Sequence, residues 1–161
     1  MPVGAASWSF TEDDFAAITS ALEAFLTDCN ARCAILVDRA GQLIATVGEP
    51  PNFDPTAFAT LTAADFSAND QLARLIGEND FSSLYHQGER ESMYLADIER
   101  RVILVVLFDN RTTLGLIRLK LRRTVPQLSQ VFEQVFSRSA ASASAPNILA
   151  GADDEIDKLF R

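Results

Sequence analysis

The sequence predicts an α/β domain with helices layered on a sheet, and three observations carry that prediction. Apolar residues recur at helical spacing in three stretches, near residues 11–29, 55–76 and 114–136. Short β-rich runs fall between them, giving the order helix, two strands, helix, three strands, helix. The run Val102-Ile103-Leu104-Val105-Val106-Leu107-Phe108 is unbroken, and a strand apolar on both faces belongs in the middle of a sheet with helices on each side. A length of 161 residues, 48% apolar and 22% charged, fits one such domain, large enough to fold without disulfides or a structural metal.

The first helix is announced by Thr11 as N-cap, with Glu12, Asp13 and Asp14 in the turn where the helix dipole favours negative charge. Phe10 and Phe15 have the spacing of a hydrophobic staple, and Ile18, Leu22, Phe25 and Leu26 continue one apolar face to about residue 29. Ala34–Val37 and Leu43–Val47 read as a hairpin closed by Asp38-Arg39-Ala40-Gly41. Asp54 and Pro55 then restart the chain as N-cap and first residue of the middle helix, which Gly77 stops. Its deeper face is expected to be Phe58, Leu61, Leu72, Leu75 and Ile76, with a strip of small residues, Ala57, Ala63, Ala64, Ser67 and Ala68, on the outside. Phe81–Tyr85, Ser92–Ile98 and Arg101–Phe108 read as three strands, joined by a turn at Gly88 and a tight one at Glu99-Arg100. Leu114, Ile117, Leu121, Leu128, Val131 and Val135 mark a last helix, in which Pro126 is expected to introduce a kink or start a second segment. The Ser/Ala-rich stretch after Phe136 reads as a linker. The expected divisions are therefore an extension over 1–10, a domain over 11–137, a flexible linker over 138–151 and an acidic, apolar tail over 152–161.

Catalytic constellations are absent. His86 is the only histidine, and beside a strand end and Gly88 it reads as a hydrogen-bonded turn residue rather than a base. Cys29 and Cys33 with one histidine make no convincing zinc site, and they read as small apolar packing groups. No phosphate-binding GxxxxGK[ST] loop is present. Neither cofactor nor metal is expected. The net charge of −8 argues against nonspecific binding to nucleic acid or anionic lipid. The charge is unevenly spread: residues 100–123 carry seven Arg/Lys against Asp109 alone, leaving −14 on the other 137 residues. The sequence contains neither a secretory signal pattern nor an apolar stretch of membrane-spanning length, so a cytoplasmic protein is expected.

The order of elements resembles the roadblock/LC7 (light-chain-seven) family, and particular residues sharpen the likeness. Leu36-Val37-Asp38-Arg39-Ala40-Gly41-Gln42-Leu43-Ile44 is similar to that family's first hairpin. Leu61-Thr62-Ala63, Leu72 to Asn79, His86-Gln87-Gly88 and Val105 to Leu119 resemble its bacterial, MglB-type branch over about residues 11–137. The terminal Asp153 to Phe160 is similar to the acidic tail of that branch. The resemblance implies a five-stranded antiparallel sheet, the middle helix on one face and the other two on the opposite one. It also implies a homodimer, formed through middle helices and edge strands, that activates GTP hydrolysis by a small Ras-like GTPase of the MglA type, two copies of the chain per GTPase. The setting it implies is cell polarity and motility, at a cell pole. On this reading the chain is a regulator rather than an enzyme and supplies no arginine finger; Arg111, in the turn after the central strand, is expected to pair locally.

The expected GTPase-binding residues are Thr62, Ala63, Ala64, Ala68 and Leu72 on the middle helix. Ile156, Leu159 and Phe160 fall on one face of a short helix in the tail, which is expected to fold on a partner and tune affinity or nucleotide exchange. Two rival readings are a non-catalytic roadblock dimer that scaffolds a GTPase or polarity complex, and a small-molecule sensor that would need a deep apolar cavity.

Overall fold

The computed structural model describes residues 8–144 and Leu159. Along them run α1 (Glu12–Cys29), β1 (Cys33–Asp38), β2 (Leu43–Gly48), α2 (Pro55–Leu75), β3 (Ser83–Gln87), β4 (Ser92–Ile98), β5 (Val102–Phe108) and α3 (Leu114–Ser144). The five strands form one antiparallel sheet in the order β2-β1-β5-β4-β3, with the unbroken apolar strand β5 at its centre. Alternation along the strands divides the core in two. Ala34, Leu36, Tyr94, Ala96, Ile98, Val102, Leu104, Val106 and Phe108 face α1 and α3, whereas Cys33, Ile35, Val37, Leu95, Ile103 and Val105 face α2.

Turn chemistry sets the strand registers. Asp38 Oδ1 accepts the Gln42 N–H at 2.8 Å in the first hairpin. Gly41, at φ +91°, passes so close to α2 that a Cβ would lie 3.2 Å from the Thr60 Cα. Between β4 and β5, Glu99 and Arg100 both take positive φ (54° and 58°) as the central pair of a turn closed by the Arg101 N–H on the Ile98 carbonyl, a turn whose twist matches that of paired strands.

The N-terminus of α1 carries the expected staple, Phe10 and Phe15 lying 5.2 Å apart, and also a capping box. Asp14 Oδ2 accepts the Thr11 N–H at 2.8 Å while Thr11 Oγ1 accepts the Asp14 N–H at 3.1 Å. Arg138 on α3 donates to the same carboxylate. Asp14 is only 5% exposed. Burial alone would raise its pKa, but the Thr11 hydrogen bonds and the Arg138 guanidinium outweigh that and hold it below the usual 3.8. A carboxylate held below its unfolded pKa stabilises the fold above that value and loses its contribution as pH falls through the folded one. Asp14→Asn should therefore cost about 1–3 kcal/mol at neutral pH. The gap from the parent chain should narrow in acid, below about 3.8, as urea titrations at pH 7 and pH 3 would show.

Two expectations about α3 need correction. Of the two outcomes expected at Pro126, a second segment does not occur: the helix is continuous through the proline. Pro126 and Arg122, four residues earlier, both lie on the exposed side, so the carbonyl that loses its N–H partner there faces water. Burial of Ile117, Leu121, Leu128, Phe132 and Val135 on the other side, roughly 1.5–3 kcal/mol each, more than offsets the proline. The expected linker also begins too early, because α3 runs on to Ser144. Trp8 packs on Phe136 with ring centroids 4.8 Å apart, the Arg101 guanidinium lies 4.6 Å from the Phe136 ring, and Arg138 is tied to Asp14. Those contacts extend the order past the point where apolar periodicity stops. The remainder of the linker and tail, with Ile156 and Phe160, lies outside the described residues; Leu159 is helical and exposed.

Both cysteines are buried and free, as their reading as packing groups requires, and burial pushes the Cys33 thiol up to about 11. No helix among the described residues is long and apolar enough to cross a membrane.

Candidate functional site

The middle helix starts where Asp54 Oδ1 accepts the Thr56 N–H at 3.0 Å and Pro55 occupies the first helical position. Its 21 residues carry two stripes of helical spacing. One comprises Ala59, Thr62, Ala63, Phe66, Asn69 and Ala73, all buried against the sheet. The other comprises Ala57, Leu61, Ala64, Ala68, Leu72 and Leu75, all exposed, with Leu61 at 69%, Leu72 at 58% and Leu75 at 82%.

This reverses the expected orientation. Leu61, Leu72, Leu75 and Ile76 do not form the deeper face; they point outward, and only Phe58 of that set is partly buried. The reason lies in the sheet. Ile35, Val37, Leu95, Ile103 and Val105 already fill the volume beneath α2, so the helix approaches largely on small residues, with Phe66 fully buried and Phe58 partly buried against the same cluster. Thr62 and Ala63, at 3% and 8% exposure, sit on the buried side of the helix rather than on its outer surface. Of the expected binding residues, Ala64, Ala68 and Leu72 lie on the outer surface. Leu61 and Leu75 share that outer surface, and their spacing from Ala57, Ala64, Ala68 and Leu72 is the sequence signal for it.

A polar clasp fixes the rotation of α2. Arg39, from the β1–β2 turn, donates from its two terminal nitrogens to Asp70 on α2 at 2.8 Å and to Asp97 on β4 at 2.5 Å. Its guanidinium also lies 4.6 Å from the centre of the Phe66 ring. On the side toward the sheet edge, His86 Nε2 of β3 and Asp65 Oδ2 of α2 are 2.6 Å apart, which places the histidine in a hydrogen bond on the strand itself. The outer face of α2 therefore presents alanines at its centre with three leucines around them. An exposed apolar stripe of this kind is suited to a protein contact.

Arg111 is held in an ionic cluster at the opposite end of the sheet. Its Nε donates to Asp109 Oδ1 at 3.0 Å, a terminal nitrogen reaches Glu49 at 3.3 Å, and Glu49 also accepts from Arg32 at 2.8 Å. The Arg32 hydrogen bond, with that of Arg111, holds the Glu49 carboxyl below the usual range, and the Arg111 hydrogen bonds do the same for Asp109. The local pairing expected of Arg111 is thus present. Among the described residues no three His, Cys, Asp or Glu side chains converge in a way that could hold a metal ion.

Comparison with known proteins adds to this geometry. The Roadblock/LC7 domain family matches residues 17–108. Myxococcus xanthus MglB is 42% identical, with a TM-score of 0.71 over 74% of this chain and 98% of its own. The gliding protein MglB from Thermus thermophilus is 30% identical, with a TM-score of 0.74 over 80% of this chain and 97% of its own. A structure of MglB with a tetrameric arrangement is likewise 30% identical, with a TM-score of 0.75 over the same shares of the two chains.

Proposed function

The chain belongs to the roadblock/LC7 family, and from that premise we propose that it is a homodimeric regulator that activates GTP hydrolysis by a small Ras-like GTPase of the MglA type. The observation that carries this reading is the outer stripe of α2, Ala57 to Leu75, on a chain 42% identical to an MglB. Two such helices side by side pack through this stripe at Ala64 and Ala68 and leave a low-relief surface against which a GTPase can settle its switch segments. Ordering those segments places the GTPase's own water-positioning and charge-stabilising groups at the γ-phosphate, a positional and electrostatic effect. The activator supplies shape and no reacting group.

A multiple-turnover assay with an MglA-type GTPase tests the proposal: stimulated phosphate release supports it, while binding without stimulation leaves a scaffold. The absence of an arginine finger can be tested separately at Arg111. Its bonds to Asp109 and Glu49 keep it in place locally, so Arg111→Ala should reduce stimulation less than about tenfold, against the ~10³–10⁵ that an inserted finger supplies. A loss above a thousandfold with binding preserved would overturn this mechanism.

A further inference from the structure

On the face of the sheet that carries α1 and α3, a groove of about 820 Å³ runs between α3 and the β3–β4 edge. It exists because Ser83 and Ala96, paired across β3 and β4, put only small side chains beneath it. Its helical wall is formed by Arg118, Leu119, Arg122 and Val125. Leu119 is 55% exposed, and neither arginine has a carboxylate partner among the described residues. Asp97 also borders the groove, but its carboxylate is engaged by Arg39. The groove is therefore a trough of mixed lining, with Leu119, Leu121 and Val125 as its apolar part and an unpaired basic rim, in a chain whose net charge is −8.

We infer that this groove holds the acidic, apolar C-terminal segment, residues 153–160, of the same chain. Charge complementarity is the first support. The segment carries Asp153, Asp154, Glu155 and Asp157 around Ile156, Leu159 and Phe160. Asp153 and Asp157 are four residues apart, as are Arg118 and Arg122, so a helical segment laid along α3 matches acid to base one turn at a time. Leu159, the one described residue of the segment, is helical and 80% exposed, so docking would bury it from an undocked position. Reach is the second support. From Ser144 back to Val125 is about 28 Å along α3, and the nine residues 145–153 span at most about 31 Å. The segment thus enters at the Val125 end, and in helical form the seven steps from 153 to 160 would cover a further ~10.5 Å, which brings Phe160 level with Arg118.

The test uses the full chain with the photoreactive p-benzoylphenylalanine in place of Phe160. Irradiated at low salt and mapped by mass spectrometry, it should cross-link to residues 115–126. After chain exchange with isotopically labelled protein, the cross-linked peptides should carry a single isotope pattern, as required for a contact within one chain. Arg118→Glu with Arg122→Glu should lower the yield about tenfold, since two attractive pairs become repulsive, whereas the same reversals at Arg74 and Arg90, outside the groove, should leave it unchanged. Mixed-isotope products would assign the groove to the tail of a second copy and overturn the proposal. Cross-links elsewhere, none at all, or full yield after reversal of Arg118 and Arg122 would overturn it as well.

Discussion

Ala68→Arg is expected to abolish both self-association and GTPase stimulation while leaving the chain folded. Ala68 is exposed at the centre of the outer α2 stripe, between Ala64 and Leu72. In the free chain an arginine there extends into water, and the thermal midpoint should barely move. In a helix-to-helix contact built on alanines the guanidinium has no room and no carboxylate partner, and a desolvated, unpaired charge costs several kcal/mol. A loss of about 3 kcal/mol weakens association more than a hundredfold. Sedimentation at micromolar concentration should then show the 17.6 kDa monomer, and the turnover assay only the intrinsic GTPase rate. Ala63→Arg is the informative contrast. Ala63 is 8% exposed and faces the sheet, so this variant should lose its fold rather than its partner. A stimulating dimer carrying Ala68→Arg would show that the stripe is not the contact.

The second large effect is expected at Arg39, where one side chain joins the first hairpin, α2 and β4. Arg39→Met keeps the length and loses the charge. Asp70 and Asp97, with side chains 21% and 15% exposed, then keep their burial without their partner. Removing one member of such a buried cluster costs about 3–5 kcal/mol, of which partial solvent access here leaves roughly 2–4 kcal/mol. Arg39→Lys should recover only part, because one ammonium cannot span both carboxylates or stack flat on Phe66. Urea denaturation measures both. Because the clasp also fixes how α2 is rotated, Arg39→Met should reduce GTPase stimulation even where the chain remains folded. A change below 1 kcal/mol on the urea scale would show that the clasp is ornamental.

Local signals in the sequence determined the elements and most of their ends. Thr11, Asp54, Gly41 and the Glu99-Arg100 turn each act over a few residues, through caps and turns whose geometry is set by the neighbouring backbone. The central place of β5 was equally legible, because a strand apolar on both faces has one stable position in a layered sheet. What the sequence could not decide was which of two helical stripes on α2 faces inward. Large side chains suggested Leu61, Leu72 and Leu75, yet the room beneath a helix is set by the strands it lies on, and those come from residues 33–37 and 93–107. Only the assembled sheet, already filled by Ile35, Ile103 and Val105, selects alanines for the contact and leaves the leucines outside. The continuation of α3 past Phe136 has the same cause. A run of serines argues locally for a break, and contacts of Phe136 and Arg138 with Trp8, Asp14 and Arg101, far away in the chain, override it. The sequence by itself determined what each segment is; tertiary packing decided which side each segment shows, because burial depends on neighbours that only the folded chain brings together.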